Sequence, residues 1–213
     1  EARAEAFNTL GQQARSKGNY REAVTYYRRA AVLWQVQGNR VRQVDALNNQ
    51  GVVQYSLKED SESTYRAALG AAGNNLVLKA RILTNLGVEL ERKGELKRAA
   101  DTYREIILLT QETGVTSTAM RAWNNLGWVH HQQKNKPEAK AAYASALELA
   151  QKAGEQEMLG AILANMGELT EDFGTWLEAL RILRTAGQEA TVERLWEGLP
   201  SDHPFRLRSE TKV

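Results

Sequence analysis

The sequence of 213 residues contains no cysteine, and this absence excludes disulfide bonds and thiolate metal sites. It also favours a reducing compartment, so we expect a cytoplasmic protein, although periplasmic proteins can lack cysteine too. The N-terminal pattern EARAEAFNTL is that of an amphipathic helix and not of a signal peptide. Because the sequence starts at Glu1, it is also compatible with a leader peptide that has been removed.

Long apolar runs and an excess of one charge are also lacking. No run approaches the roughly 20 apolar residues of a membrane span. The 28 basic and 26 acidic residues leave a net charge of only +2, and the basic ones are spread along the chain. Since no strong field points to nucleic acid or to an anionic membrane, we predict neither as a partner.

Residue patterns of known catalytic and metal sites are missing. His130 and His131 are adjacent, so on a helix they point about 100° apart and do not share one ion. Ser201, Asp202 and His203 are contiguous, whereas a catalytic triad takes its geometry from separate elements. No glycine-rich phosphate loop follows a strand. We therefore predict no cofactor, no metal and no enzymatic activity.

What the sequence does contain is an internal repeat. Its marker is a glycine recurring at spacings of 40, 36, 40 and 40 residues: Gly11, Gly51, Gly87, Gly127 and Gly167. A large apolar residue stands four positions earlier each time: Phe7, Leu47, Leu83, Trp123 and Leu163. After a turn signal such as KGN or KGE, most units continue with Ala and then Tyr at fixed offsets. Each unit therefore predicts a helix, a tight turn and a second helix.

The repeated glycine needs a physical reason, because a glycine within a helix costs roughly 1 kcal/mol relative to alanine. Close contact between the two helices of a unit supplies that reason, since glycine has no Cβ. We expect the alanines of the second helix to serve the same contact from the other side. Leucine at Gly87 or Gly127 would then overpack it, at about 1–3 kcal/mol.

These residues resemble the tetratricopeptide repeat (TPR) family, and the match covers roughly residues 1–187. The 40-residue period with an Asn-x-Gly core is similar to repeats of kinesin light chain, LGN, Rap-type regulators and MalT-type activators. The resemblance implies an all-α, right-handed α-solenoid of five helix-turn-helix units. It also implies a concave groove lined by the first helix of each unit, helix A, with helix B on the outer face.

We predict a single solenoid over residues 1–199, with units at about 1–38, 39–74, 75–114, 115–154 and 155–187. The second unit is four residues short, which predicts a shorter or distorted turn. Residues 188–199 carry Val192, Leu195, Trp196 and Leu199 on one face and predict a capping helix. Residues 200–213 form a C-terminal tail without a helical pattern.

The register of helix A predicts which residues face the groove. Amide, arginine and aromatic side chains occur on this stripe, and the predicted binding residues are Asn48, Asn49, Tyr55, Arg81, Asn85, Arg121, Asn124, Asn125, Trp128, His131 and Asn165. Amides can pair with both N–H and C=O groups of an extended peptide. Alternatively, the asparagines bond the backbone of the next repeat, the arginines form a solvated face, and Trp128 packs against the adjacent repeat.

On this basis we expect a non-catalytic scaffold that holds an extended or helical protein or peptide segment in its groove. The alternative is a sensor or regulatory domain of a larger signalling or transcription regulator. The tail residues Phe205, Arg206, Leu207 and Arg208 form a short basic and apolar segment. They predict weak self-association through a neighbouring molecule's groove, against the simpler alternative of a solvated tail.

Overall fold

The computed structural model describes residues 1–199 and 203–206, and over these residues the secondary structure is helical. The A helices of the repeats are α1 (Ala2–Ser16), α3 (Arg40–Ser56), α5 (Leu76–Arg92), α7 (Thr116–Gln132) and α9 (Gln156–Thr170). The B helices are α2 (Tyr20–Val36), α4 (Glu62–Ala72), α6 (Leu96–Thr113), α8 (Lys136–Ala153) and α10 (Phe173–Thr185), and α11 (Glu189–Gly198) follows them. The predicted all-α class of helical pairs is confirmed.

The turns between helices follow from local chemistry. Gly18 and Gly94 adopt φ values of +79° and +75°, a left-handed conformation that only glycine enters without strain. Two A helices, α3 and α5, are capped by asparagine. The Asn39 and Asn75 side chains accept hydrogen bonds of 3.1 and 3.0 Å from the backbone N–H groups of Arg42 and Leu78. The predicted turn signals therefore mark real helix ends.

The chain divides into two compact units, Glu1–Thr118 and the part from Ala119 onward. The first unit holds α1 to α6, and the second holds most of α7 together with α8 to α11. The division of residues 1–199 into one solenoid of five repeats stays a prediction.

Four of the five repeated glycines lie directly under tyrosine rings of the B helices, whereas Gly167 lies against the backbone of Trp176. A Cβ added to Gly87 would lie 2.6 Å from the ring of Tyr103, and one added to Gly127 would lie 2.5 Å from the ring of Tyr143. The predicted close contact of the two helices is thus present. The nearest atoms belong to a tyrosine sixteen positions later at Gly11, Gly87 and Gly127 and fourteen positions later at Gly51. That the alanines of helix B serve the same contact stays a prediction.

The second repeat takes up its missing residues in helix B and not in the turn. Helix α4 has 11 residues against 17 in α2 and 18 in α6, while the segment from Ser56 to Glu62 is longer than the other A–B turns. Of the two expected outcomes, a shorter turn is wrong, while a distorted turn agrees with this longer segment, in which Lys58 has a φ of 59°. The physical reason is the ring contact: Tyr65 still covers Gly51, at 2.5 Å from an added Cβ, so the deletion is accommodated elsewhere.

The C-terminal part of the second unit closes on an apolar cluster. Val192 and Leu199 are buried there, and Leu195 and Trp196 pack against the same cluster, so the amphipathic face predicted for α11 is confirmed. Phe205 belongs to this cluster too and is 0% exposed. Its ring centroid lies 5.3 Å from that of Trp176.

This packing corrects the expectation of a free C-terminal tail. Phe205 is buried within its own chain, and the Arg206 guanidinium donates a 2.9 Å hydrogen bond to the carbonyl of Trp196. Both residues are therefore engaged inside the molecule, because burying a phenylalanine against aromatic rings is favourable. Leu207 and Arg208 lie outside the described residues.

Candidate functional site

The predicted asparagines form amide pairs that connect neighbouring A helices. Asn85 donates through Nδ2 to Oδ1 of Asn48 at 2.8 Å, joining α5 to α3. In the second unit, Asn165 donates to Oδ1 of Asn124 at 2.9 Å, joining α9 to α7 in the same register. The partner in both pairs is a side chain, whereas the alternative in the sequence analysis named the backbone. These amides therefore support the stacking of repeats and keep only part of their bonding capacity for a ligand.

Not every predicted amide is used in this way. Asn48 is 9% exposed, while Asn49 beside it is half-buried. Over the part of the chain that the structure describes, no hydrogen bond to the side chain of Asn49 is formed. Asn125 is also half-buried, on α7. The two neighbours in each Asn-Asn dipeptide thus have different environments, which the sequence pattern does not distinguish.

A polar cavity of about 270 Å³ opens on the A-helix side of the first unit. Its lining consists mainly of amide and charged side chains: Asn8, Gln12, Trp34, Arg42, Asp45, Asn48, Asn49 and Arg81. The Oδ1 atom of Asn8 is buried without a hydrogen-bond partner. Such an acceptor is costly to leave unsatisfied. Because the atom is buried from solvent, a ligand N–H group would reach it only after the Asn8 side chain turns toward the cavity.

Three of the predicted residues, Asn48, Asn49 and Arg81, meet in this cavity. Sequence reasoning did not select Gln12, although it directly follows the repeat glycine, in the register of Trp128. Trp34 comes from helix B and Arg42 from the first turn of α3. Neither residue was predicted, because the groove residues were selected from the centre of helix A alone.

The arginines of the cavity are paired across repeats. Arg81 forms an ion pair with Asp45, and Arg42 lies 3.3 Å from Glu5, with its guanidinium 5.9 Å from the ring centroid of Trp34. The side chains of Arg81 and Asp45 are 47% and 36% exposed. Exposed pairs of this kind contribute about 0–1 kcal/mol, so an incoming carboxylate can replace Asp45 at little cost.

Arg92 and Tyr55 lie further along the same unit and have a more structural environment. The Arg92 guanidinium lies 5.6 Å from the ring centroid of Tyr55 and donates a 2.6 Å hydrogen bond to Glu89, which is 0% exposed. It also donates to the carbonyl of Glu59 at 3.1 Å. The hydrogen bond to Glu89 raises the pKa of Arg92. Tyr55 is therefore a half-buried ring beneath a fixed cation.

The second unit presents a separate set of predicted residues. Trp128 and His131 are both half-buried and contact each other edge to face, with ring centroids 5.7 Å apart. Arg121 is exposed on α7. Trp123, in contrast, packs against the apolar cluster around Tyr143, as its core position predicted.

Groups that would hold a metal ion are not found among the described residues, where no cluster of three or more His, Asp or Glu side chains occurs. Within the same residues, no helix is both long enough and apolar enough to cross a membrane.

Comparison with known families matches tetratricopeptide repeat models to two segments. One model matches residues 8–75 and another matches residues 78–152. Together they cover most of the predicted repeat region. A search of curated protein sequences finds no match.

Solved structures of similar fold include two named Rap proteins. The apo form of RapI superposes with a TM-score of 0.80 at 18% identity, covering 91% of this chain and 73% of that one. The plasmid pLS20 Rap conjugation gene regulator, solved with its Phr* peptide, gives a TM-score of 0.71 at 17% identity, covering 99% of this chain and 62% of that one.

A third structure is aspartyl phosphate phosphatase F from Bacillus subtilis. It gives a TM-score of 0.77 at 17% identity, over 89% of this chain and 51% of that one. The chain thus spans about half to three quarters of these proteins. At such identities the likeness shows the fold alone.

Proposed function

We propose that the A-helix face of this chain, which belongs to the tetratricopeptide repeat family, binds a peptide or protein segment. The observation that carries this proposal is the polar cavity of about 270 Å³ in the first unit. Asn49 lines it with an amide that forms no hydrogen bond in the described structure. A peptide backbone offers the matching donor and acceptor groups.

The charges around the cavity indicate how a segment would be oriented. Arg42 and Arg81 lie on the cavity wall, each beside one exposed carboxylate of the neighbouring repeat. A peptide carboxylate bound there would exchange one weak surface pair for another and gain bidentate geometry. Trp34 is only 4% exposed and belongs to the core, so it supports the cavity wall and offers little surface to a ligand. In the second unit, Asn125 offers an amide and Trp128 a half-buried ring, and both belong to the proposal.

A random peptide library displayed on phage tests this function. Peptides selected on the wild-type protein should bind the Asn49→Ala variant about 3- to 10-fold more weakly, because one hydrogen bond contributes roughly 0.5–1.5 kcal/mol. The thermal unfolding midpoint should stay unchanged, since no hydrogen bond to Asn49 is lost within the described structure. Asn74→Ala, an exposed loop asparagine, is the matched control.

Two results would count against binding at the A-helix face. One is a selection that enriches no peptide. The other is a set of enriched peptides whose affinity is the same for Asn49→Ala, Arg81→Gln and the wild type. The Asn85→Ala variant is a poorer probe, because Asn85 also bonds Asn48 and its loss affects stability as well.

The alternative of a sensor domain is supported by the likeness to the Rap conjugation gene regulator, which was solved with a peptide. Under this alternative the same face binds the peptide, and a further domain responds to it. The complete reading frame would decide, because a regulator carries an additional effector segment. A cytoplasmic location and the absence of catalysis also stay part of the proposal, and a broad hydrolase screen tests the latter.

A further inference from the structure

Two adjoining clefts open beside helix α2 in the first unit, and we name them the α2 clefts. The larger has a volume of about 620 Å³, lies between α2, α3 and α4, and includes Arg28, Val32 and Arg40 in its lining. The smaller has about 500 Å³ and lies between α1 and α2. Arg28 and Val32 line both, so the two clefts form one continuous surface. None of their residues lines the polar cavity described above.

The larger cleft exists because helix α4 is short and carries small residues. Ala67, Gly70 and Ala71 line its wall, and a Cβ added to Gly70 would meet nothing within 4 Å. Helix α4 has 11 residues where α2 and α6 have 17 and 18. The shortening of α4 leaves a gap next to α2, and a groove beside a helix is a common binding site for a helical segment of a partner.

The charge on this surface has one sign. Among the residues that the structure describes, none that lines the α2 clefts is acidic. Four arginines line them: Arg3, Arg28, Arg29 and Arg40. None of the four forms an ion pair within the described ranges. The nearby carboxylate of Glu5 is engaged by Arg42 at 3.3 Å. Over residues 1–56 the sequence holds 8 basic and 4 acidic residues, a net charge of +4, so the rest of the chain carries −2.

Apolar side chains lie between the arginines. Val32 is 54% exposed and Val36, one turn further along α2, is 80% exposed. Phe7 lines the smaller cleft, with the guanidinium carbons of Arg3 and Arg29 at 5.9 and 5.5 Å from its ring centroid. The surface therefore alternates apolar contact with unpaired cations, which is the complement of an amphipathic acidic helix.

We propose that the α2 clefts bind an acidic amphipathic helix of a partner protein. Its apolar face contacts Val32 and Val36 and fills the gap beside Gly70, while its carboxylates bond the guanidinium groups of Arg28 and Arg40. This surface is separate from the A-helix face, so the two partners can bind at once.

The test uses a fluorescent synthetic peptide helix with leucine on one face and glutamate on the other, measured by fluorescence anisotropy. We expect the double variant Arg28→Gln/Arg40→Gln to bind it at least about tenfold more weakly, since two charge-assisted contacts are lost. Arg21→Gln/Lys97→Gln changes the net charge equally at exposed positions outside the clefts and should retain binding. A peptide with glutamine in place of glutamate should bind the wild-type protein as weakly as the glutamate peptide binds the double variant.

A second variant separates charge from shape. Gly70→Leu fills the larger cleft, where an added Cβ meets no atom, and it removes a flexible glycine from a helix, so the fold is retained. This variant should bind the glutamate peptide about tenfold more weakly, although all its arginines are in place. Asn49→Ala should leave this binding unchanged. The result for the α2 clefts is therefore independent of whether the A-helix face binds a peptide.

Three results would overturn the proposal. The glutamate peptide could fail to bind the wild-type protein, or it could bind Gly70→Leu and the double arginine variant as tightly as the wild type. Sedimentation could instead reveal a dimer that Gly70→Leu dissociates, and the occupant of the clefts would then be a second copy of this chain.

Discussion

The amide of Asn85 donates to the amide oxygen of Asn48 at 2.8 Å, so a residue chosen as a ligand contact also connects two repeats. The same register produces the pair of Asn165 and Asn124 in the second unit. A side-chain amide has two donor hydrogens and one acceptor oxygen, so one bond to a neighbour leaves others available. Under the proposed function, stacking and recognition share one stripe of residues.

Replacing Asn85 by alanine tests the structural part of this double role. We expect the free energy of unfolding to fall by about 1 kcal/mol, because a net hydrogen bond is lost and the Asn48 acceptor loses its partner. A double-mutant cycle with Asn48→Ala should give a coupling of roughly 0.5–1.5 kcal/mol. Additive effects in that cycle would show that the pair contributes nothing.

The contact between Gly87 and Tyr103 predicts a large effect of a small substitution. Gly87→Leu should destabilise the protein by about 1–3 kcal/mol, because the Cβ alone would lie 2.6 Å from the ring. Gly70→Ala is the matched control at a helical glycine with open space, and it should stabilise by about 0.5–1 kcal/mol. Chemical denaturation of both variants measures the difference, and equal signs would contradict the close contact.

Glu62 predicts how stability depends on pH. Hydrogen bonds from Lys93 and Arg98 lower the pKa of Glu62 from 4.5 to about 2. A carboxylate with a lowered pKa contributes stability above pH 4.5, and this contribution is lost as the pH falls toward 2. Because the partner side chains are 27% and 42% exposed, we expect about 1 kcal/mol at neutral pH.

Glu62→Gln should therefore lower the free energy of unfolding by about 1 kcal/mol at pH 7 and have little effect near the lowered pKa. Unfolding in urea at several pH values measures this. Glu105→Gln, at an exposed carboxylate without an ion pair in the described structure, is the control. A difference that stays constant down to the lowest pH would exclude Glu62 as the titrating group.

Arg81 and Arg92 both lie on α5, and their ion-pair partners predict different consequences of replacing them. Arg92→Met leaves the carboxylate of Glu89 buried and unpaired, so we expect a loss of about 3 kcal/mol. Arg81→Met removes only an exposed pair and should cost less than about 1 kcal/mol. Equilibrium unfolding of the two variants compares them directly, and similar losses would contradict the assigned burial of Glu89.

Phe205 predicts that the C-terminal segment stabilises the second unit. Phe205→Ala should cost about 3–5 kcal/mol, because a fully buried aromatic side chain is removed from its contacts with Phe173 and Trp176. Tryptophan fluorescence follows the unfolding, since Trp176 lies against the ring. Phe7→Ala, at a partly exposed ring of the first unit, should cost less. An unchanged unfolding transition for Phe205→Ala would place Phe205 outside the core.

The repeat pattern allowed much of the fold to be predicted. The glycine period located the helical pairs, and the apolar face of residues 188–199 predicted α11. The contact partner of the glycines was missed, because a tyrosine ring and an alanine are equally compatible with a close approach. The short α4 was missed for a related reason: a deletion of four residues does not reveal whether a turn or a helix becomes shorter.

The candidate site was predictable only where it follows the repeat. Asn48, Asn49 and Arg81 lie on the predicted groove stripe of helix A, and the structure brings them to one cavity. Trp34 enters that cavity from another helix, and the sequence has no signal for it. The α2 clefts were not predicted at all, since they arise from the absence of side-chain volume in α4.

The sequence by itself determined the helical pairs, their period and the polar stripe of the A helices, because periodic apolar residues and glycines act locally along each helix. Only the tertiary structure decided which amides bond each other, which arginines are left without a carboxylate, and where the molecule is incompletely filled. Those properties depend on distances between helices that are far apart in the chain, and a one-dimensional pattern carries no such distances.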